Sequence, residues 1–132
     1  MVTYGFVKKL ALSFDEAEKK VTEELKKDGF GVLTRIDMKE KFREKLDVDF
    51  RNYVILGACN PPLALKSLTA EENIGLLLPC NVIVYEEEAG SGTKVGIIKP
   101  TSAMGMVEND ALRDTALDVE AKLKKVFDAL TS

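Results

Sequence analysis

The sequence predicts an α+β fold in two layers: a mostly antiparallel sheet of about five strands with helices packed on one face. Three observations lead to it. Short segments rich in β-branched and aromatic residues alternate with capped segments of helical period, in the order strand, helix, strand, helix, strand, helix, strand, strand, helix. The apolar run Leu76–Tyr85, broken only by Pro79-Cys80-Asn81, reads as the central strand. After it, Ala89-Gly90-Ser91-Gly92 forms a hairpin loop into a strand over Lys94–Ile98, which forces the two to pair antiparallel.

Each element carries its own signal. Val2, Tyr4 and Phe6 alternate in a first strand over Val2–Lys8, with that face expected to be buried. Ser13 and Glu16 form a capping box, and Phe14, Ala17, Val21 and Leu25 then draw an apolar stripe along a helix that Lys26-Lys27 and Gly29 bring to an end. Phe30–Ile36 is the second strand. Asp37 caps a second helix with Glu40 at its third position and Met38, Phe42 and Leu46 along one side, while Lys39, Lys41, Arg43 and Lys45 make its solvated face basic. Phe50–Ala58, with the continuous run Tyr53–Leu56, is a strand buried on both faces or nearly so.

Asn60 is an N-cap and Pro61 suits the first helical position, where a missing N–H costs nothing. Leu63, Ala64, Leu65 and Leu68 pack the short helix that follows, and Thr69-Ala70-Glu71-Glu72 resembles a second capping box leading one more turn to Asn73–Gly75. Thr101–Glu108 reads as a loop that exposes Met104 and Met106. Asn109 or Asp110 caps the last helix, whose Leu112, Ala116, Val119, Leu123, Val126 and Leu130 form the longest stripe in the chain. The first and last helices are expected on the same face of the sheet.

Length and composition set outer bounds. A chain of 132 residues suits a single domain, 1–132, burying roughly two-thirds of its unfolded surface without staples. With 19 basic and 22 acidic side chains the net charge is −3, so nothing in the bulk charge favours a phosphate backbone, and nucleic acid is excluded as a partner. No apolar run is long enough to span a bilayer and the N-terminus lacks the pattern of a secretory signal, so no membrane partner is expected and the default location is cytoplasmic. Abundant Glu and Lys beside an absence of Gln, His and Trp is a thermophile-like bias.

The absence of histidine removes Ser-His-Asp and Cys-His nucleophiles, imidazole zinc sites and a histidine-ligated haem. Gly90-Ser91-Gly92-Thr93-Lys94 fails as a phosphate loop because its Lys follows Thr and a strand, not a helix, comes next. Glu86-Glu87-Glu88 reads as a solvated strand edge rather than a metal site, and no metal is predicted.

Cys59 and Cys80 remain. With no secretory signal they read as reduced thiols. If their strands are antiparallel neighbours, both thiols lie at one end of the sheet beside the Asn60–Pro61 helix N-terminus, which would favour a thiolate and lower the thiol pKa. The opposing reading is packing alone, since free cysteine behaves as a small hydrophobe. Pro79 sharpens the case for Cys80, because a proline within a strand marks an interruption of the kind found beside functional sites.

At these residues the chain resembles the domain of unknown function 302 family, with its TT1751-like fold. The likeness runs through the capped helix before Gly29-Phe30, the strand into Cys59-Asn60-Pro61, the Leu78-Pro79-Cys80 strand with Val82, Val84 and Tyr85, the hairpin and Pro100. The resemblance implies a compact α+β domain, a homodimer and no established activity. It carries over Asn60, Pro61, Pro79 and Cys80 as motif positions; Cys59 lies outside that pattern.

The reading favoured on these grounds is a small-molecule or cofactor-binding module. Its ligand would lie where the last helix crosses the sheet, lined by Cys80, Asn60 and the Met104–Met106 loop, with Pro61, Pro79 and Cys59 as further candidates. No particular cofactor is indicated. The alternatives are a dimeric interaction protein without catalysis and a thiol redox or sulfur-carrier protein using Cys80.

Overall fold

The computed structural model describes residues 2–88 and 92–131. Ten elements follow one another: β1 (Gly5–Leu10), α1 (Phe14–Lys27), β2 (Gly31–Asp37), α2 (Met38–Leu46), β3 (Tyr53–Cys59), α3 (Pro61–Ala70), β4 (Cys80–Glu86), β5 (Thr93–Ile98), α4 (Pro100–Met104) and α5 (Asp110–Ala129), with a 3₁₀ turn at Glu72–Leu77 between α3 and β4. The strands form one sheet in the order β1-β5-β4-β3-β2, every neighbouring pair antiparallel. The central strand is β4, as expected. The expected hairpin loop lies outside the described residues at positions 89–91, but the strands on either side of it do pair antiparallel.

Local chemistry explains the helix ends. The Ser13 hydroxyl accepts from the Glu16 amide at 3.2 Å and the Glu16 carboxylate accepts from the Ser13 amide at 3.0 Å, closing the capping box. At the other end of α1, Phe30 N–H reaches the Leu25 carbonyl and Gly29 N–H the Lys26 carbonyl, with Gly29 at φ 84°. This is a Schellman closure, and its left-handed residue is the glycine. Asp37 caps α2 by accepting from the Glu40 amide. Asn109, rather than Asp110, caps α5.

One face of the sheet carries the core. Val54, Leu56, Ala58, Cys80, Val82, Val84, Val95 and Ile97 lie on it at alternate positions, and α1 and α5 cover them with Ala17, Val21, Leu25, Val119, Leu123 and Val126. Each fully buried aliphatic side chain contributes roughly 1.5–3 kcal/mol by leaving water. The bidentate pair of Arg35 with Glu18 ties β2 to α1 across the edge of this layer.

The other face is differently composed. Strand register aligns Val7, Gly96, Ile83, Ile55 and Ile36 in a row across all five strands, beside the stacked rings of Tyr53 and Tyr85 at 5.1 Å. Gly96 lacks the Cβ that would come within 2.9 Å of Ile83 Cγ1, so Ile83 lies across it. At one end of this face α2 touches β2 and β3 but buries none of its own residues.

Several expectations are corrected. Val2 and Tyr4 precede β1 and are exposed; the buried parity is kept only by Phe6 and Leu10. Leu46 is exposed at the end of the expected α2 stripe. The apolar run does not begin a strand at Leu76: Leu76 and Leu77 sit in the 3₁₀ turn, and β4 starts only after Pro79, which has no N–H for a ladder. The second capping box is not formed, because Thr69 Oγ1 instead donates back to the Leu65 carbonyl and the 3₁₀ turn has no side-chain cap. Pro100–Met104 is a short helix rather than a loop, and Met104 is buried while Met106 is exposed.

A left-handed Gly29 predicts a local cost. A Cβ there would stand 3.1 Å from Asn60 Nδ2 at a φ that L side chains avoid, whereas Gly31 has nothing within 4 Å. Gly29→Ala should lose about 1–2 kcal/mol in urea unfolding, and Gly31→Ala much less. Equal losses would contradict this account of the α1 terminus.

Candidate functional site

The chain opens a cavity where the sheet runs out. β3 and β4 are in register up to Ala58 opposite Cys80. One step further the pair would be Cys59 with Pro79, and proline has no amide hydrogen to offer, so β4 stops while β3 continues beside β2 with Cys59 opposite Gly31. α3 and the 3₁₀ turn cross this end. Between them, the strand ends and α5 lies a cavity of about 350 Å³.

Four of the five sequence candidates meet there: Cys59, Asn60, Pro79 and Cys80 line the cavity, joined by Met104 and by Val119 of α5. Pro61 does not line it; it is the exposed first residue of α3. Met106 also lies elsewhere. Residues the sequence reading did not single out for the site complete the wall, chiefly Phe30, Leu33, Leu63, Ser67, Leu68 and Leu78. The spacing of Leu63 and Ser67, four apart and both buried on α3, is the one signal that could have placed them on an inner face. Leu33 had none, because it owes its place to a register shift between Val32 and Thr34.

No lining residue is charged; of the polar ones, Asn60 and Ser67 are engaged within the chain, and Thr34 is exposed. Asn60 Oδ1 accepts from the Leu63 amide and Nδ2 donates to the Asp28 carbonyl, both at 3.4 Å, so this side chain caps α3 and reaches the end of α1. Ser67 Oγ donates to the Leu63 carbonyl at 2.9 Å. Pro79 packs on Gly57, where a Cβ would come within 2.7 Å of its ring. The rest of the lining is apolar and includes the sulfur-bearing residues Cys59, Cys80 and Met104.

The thiols differ from expectation. They share one end of the sheet, but Cys80 continues the buried parity of Val82 and Val84, while Cys59 continues that of Ile55 on the opposite face. Both are free. Burial, with a smaller contribution from neighbouring Cys59, pushes the Cys80 thiol up to about 11, the reverse of the lowered pKa expected beside a helix N-terminus. Desolvation outweighs the dipole because Cys80 lies inside the sheet's end rather than in front of the α3 amides. Among the described residues no group of three or more His, Cys, Asp or Glu side chains is arranged to hold a metal ion.

A second, larger groove of about 630 Å³ runs between α4 and α5. Its charged residues include Arg113 and Asp110, which pair with each other at 2.8 Å, and it holds none of the five candidates. Among the described residues no helix is long and apolar enough to cross a membrane.

Comparison with known proteins bears on the fold and the family. No curated protein matches the chain. Among solved structures, the crystal structure of an uncharacterized conserved protein DUF302 from Bacillus stearothermophilus is 36% identical, over 96% of this chain and 98% of that one, with a TM-score of 0.87. The family model described as domain of unknown function DUF302 matches residues 6–130. That match takes in every described strand and helix apart from the first residue of β1, and the chain belongs to the DUF302 family.

Proposed function

We propose that this protein is a small-molecule-binding module whose ligand is apolar and occupies the cavity between α3 and the ends of β2, β3 and β4. The observation that carries the reading is the lining itself: a half-open pocket of about 350 Å³ with no charge, mostly hydrocarbon, in which Asn60 and Ser67 are already hydrogen-bonded. Such a space is within the range of ligand pockets, at their small end. An apolar lining of this kind rewards hydrocarbon and penalises any group that loses a hydrogen bond on entering.

A thiol redox or sulfur-carrier role for Cys80 is less well supported. The thiolate is the reactive form, and a pKa near 11 leaves about one thiol in a thousand ionised at pH 8. A homodimer without a ligand is the second reading, and the uncovered row Val7, Ile83, Ile55 and Ile36 favours it.

One titration separates the readings. The neutral probe N-phenyl-1-naphthylamine should brighten on binding the native chain and fail to do so with Ala64→Phe, which fills the cavity from α3. Under the dimer reading Ala64→Phe is silent and Ile55→Glu, on the open sheet face, halves the mass in solution. A probe signal that survives Ala64→Phe in a folded protein would sink the pocket assignment.

Cys80 also predicts a pH dependence. The unfolded thiol releases its proton near 9.0 and the folded one near 11, so the folded chain holds a proton that the unfolded chain has lost. Stability from this group is fully present below pH 9 and is lost as pH rises towards 11, by about 2–3 kcal/mol. Cys80→Ala should lose correspondingly less between those pH values in urea titrations; identical slopes would refute the buried neutral thiol.

A further inference from the structure

The mouth of the cavity carries information about the shape of its ligand, an inference that rests on the pocket reading above. The register shift between Val32 and Thr34 leaves Leu33 as the extra residue of a β-bulge on the edge strand. Bulges re-aim a side chain, and this one gives a leucine that lines the cavity while remaining 68% exposed. Leu68, on the α3 wall, likewise lines the cavity and is 45% exposed. The two elements that cross this end each present one more leucine to solvent, Leu65 on α3 and Leu76 on the 3₁₀ turn. Single exposed leucines are ordinary; two that belong at once to the pocket lining and to the open surface make an apolar path from inside to outside.

We propose that the cavity receives the end of an unbranched alkyl chain and that Leu33 and Leu68 form the rim over which the rest of the chain leaves. The inner end of the chain needs no hydrogen-bonding group, because nothing charged lines the space, Asn60 and Ser67 are already engaged, and Thr34 is exposed to solvent. The head group stays in solvent and is not read. A compact ligand of equal carbon count would meet Leu33 and Leu68 without passing beyond them, so it would leave the exposed Leu65 and Leu76 without a role.

The test is displacement of N-phenyl-1-naphthylamine by a series of n-alkanols from hexanol to tetradecanol, with cyclooctanol as the compact match for n-octanol and fatty acids as the charged-head match. Each methylene should tighten binding about fourfold. n-Octanol should outcompete cyclooctanol, and each acid should bind as tightly as its alkanol. The double variant Leu33→Ser with Leu68→Ser should weaken the longest chains most and hexanol least. Both sites are exposed, and if the pair lowers Tm, Leu33→Ser alone carries the same comparison. Cyclooctanol binding as well as n-octanol, or a rim variant that weakens every alcohol equally, overturns the chain proposal while leaving the pocket intact. Acids that bind far more tightly than alkanols overturn the unread head. No probe binding at all removes the pocket reading, and the chain with it.

Discussion

Pro79 has no backbone hydrogen to give, and much of the molecule's one distinctive feature follows from that. A sheet extends as long as both neighbours supply donors and acceptors, and β4 cannot extend back beyond Cys80. β3 can, because β2 lies on its other side with Gly31 opposite Cys59. The sheet therefore ends in a step, and a step beneath a crossing helix encloses space unless side chains fill it. Gly57 sharpens the step: without a Cβ it lets the Pro79 ring settle against the strand. Leu63, Leu78 and Met104 surround the remaining volume with hydrocarbon.

The rest of the fold holds that step still. Asn60 is the first residue past β3, and its amide side chain meets both the start of α3 and the carbonyl of Asp28 at the end of α1. The same α1 terminus turns through Gly29 into β2, which pairs with β3. Strand, turn and two helix ends are closed into one ring of backbone and amide contacts, each modest at about 1 kcal/mol but mutually dependent. Below this ring the core of Val54, Leu56, Val82 and Val84 under α1 and α5 provides the larger stabilisation. The thiols are passengers of this arrangement: strand alternation sends Cys59 and Cys80 to different faces, and burial keeps Cys80 protonated.

Much of this was legible in the residues because the signals were local. Ser13 with Glu16, Asp37 with Glu40, and Asn60 before Pro61 each mark a helix start through bonds made within four residues, and all three are formed. The continuous run Tyr53–Leu56 suggests burial on both faces, yet Tyr53 and Ile55 are only half-buried, because α1 and α5 cover the other side of the strand. What failed depended on distant context. Leu76–Leu78 has a strand's composition, yet the proline that follows denies it a ladder. Thr69 has a cap's spacing, but its hydroxyl found the carbonyl four residues back first. Met104 stands among small residues, Ser102, Ala103 and Gly105, that draw no apolar stripe of their own; the α5 residues that bury it begin eight residues later. The cavity gathered Cys59, Asn60, Pro79 and Cys80 as the strand endings implied, but the bulge at Leu33 has no sequence mark.

The central claim is that the step at Pro79 leaves an apolar and accessible space. Crystals held under xenon pressure test it directly, since xenon enters apolar cavities and shuns polar ones. The account predicts a xenon peak bounded by Pro79, Leu63 and Met104 in the native protein, and none in Ala64→Phe. A chain of ordered waters in that volume, or side chains closed across it with no xenon bound, would contradict it.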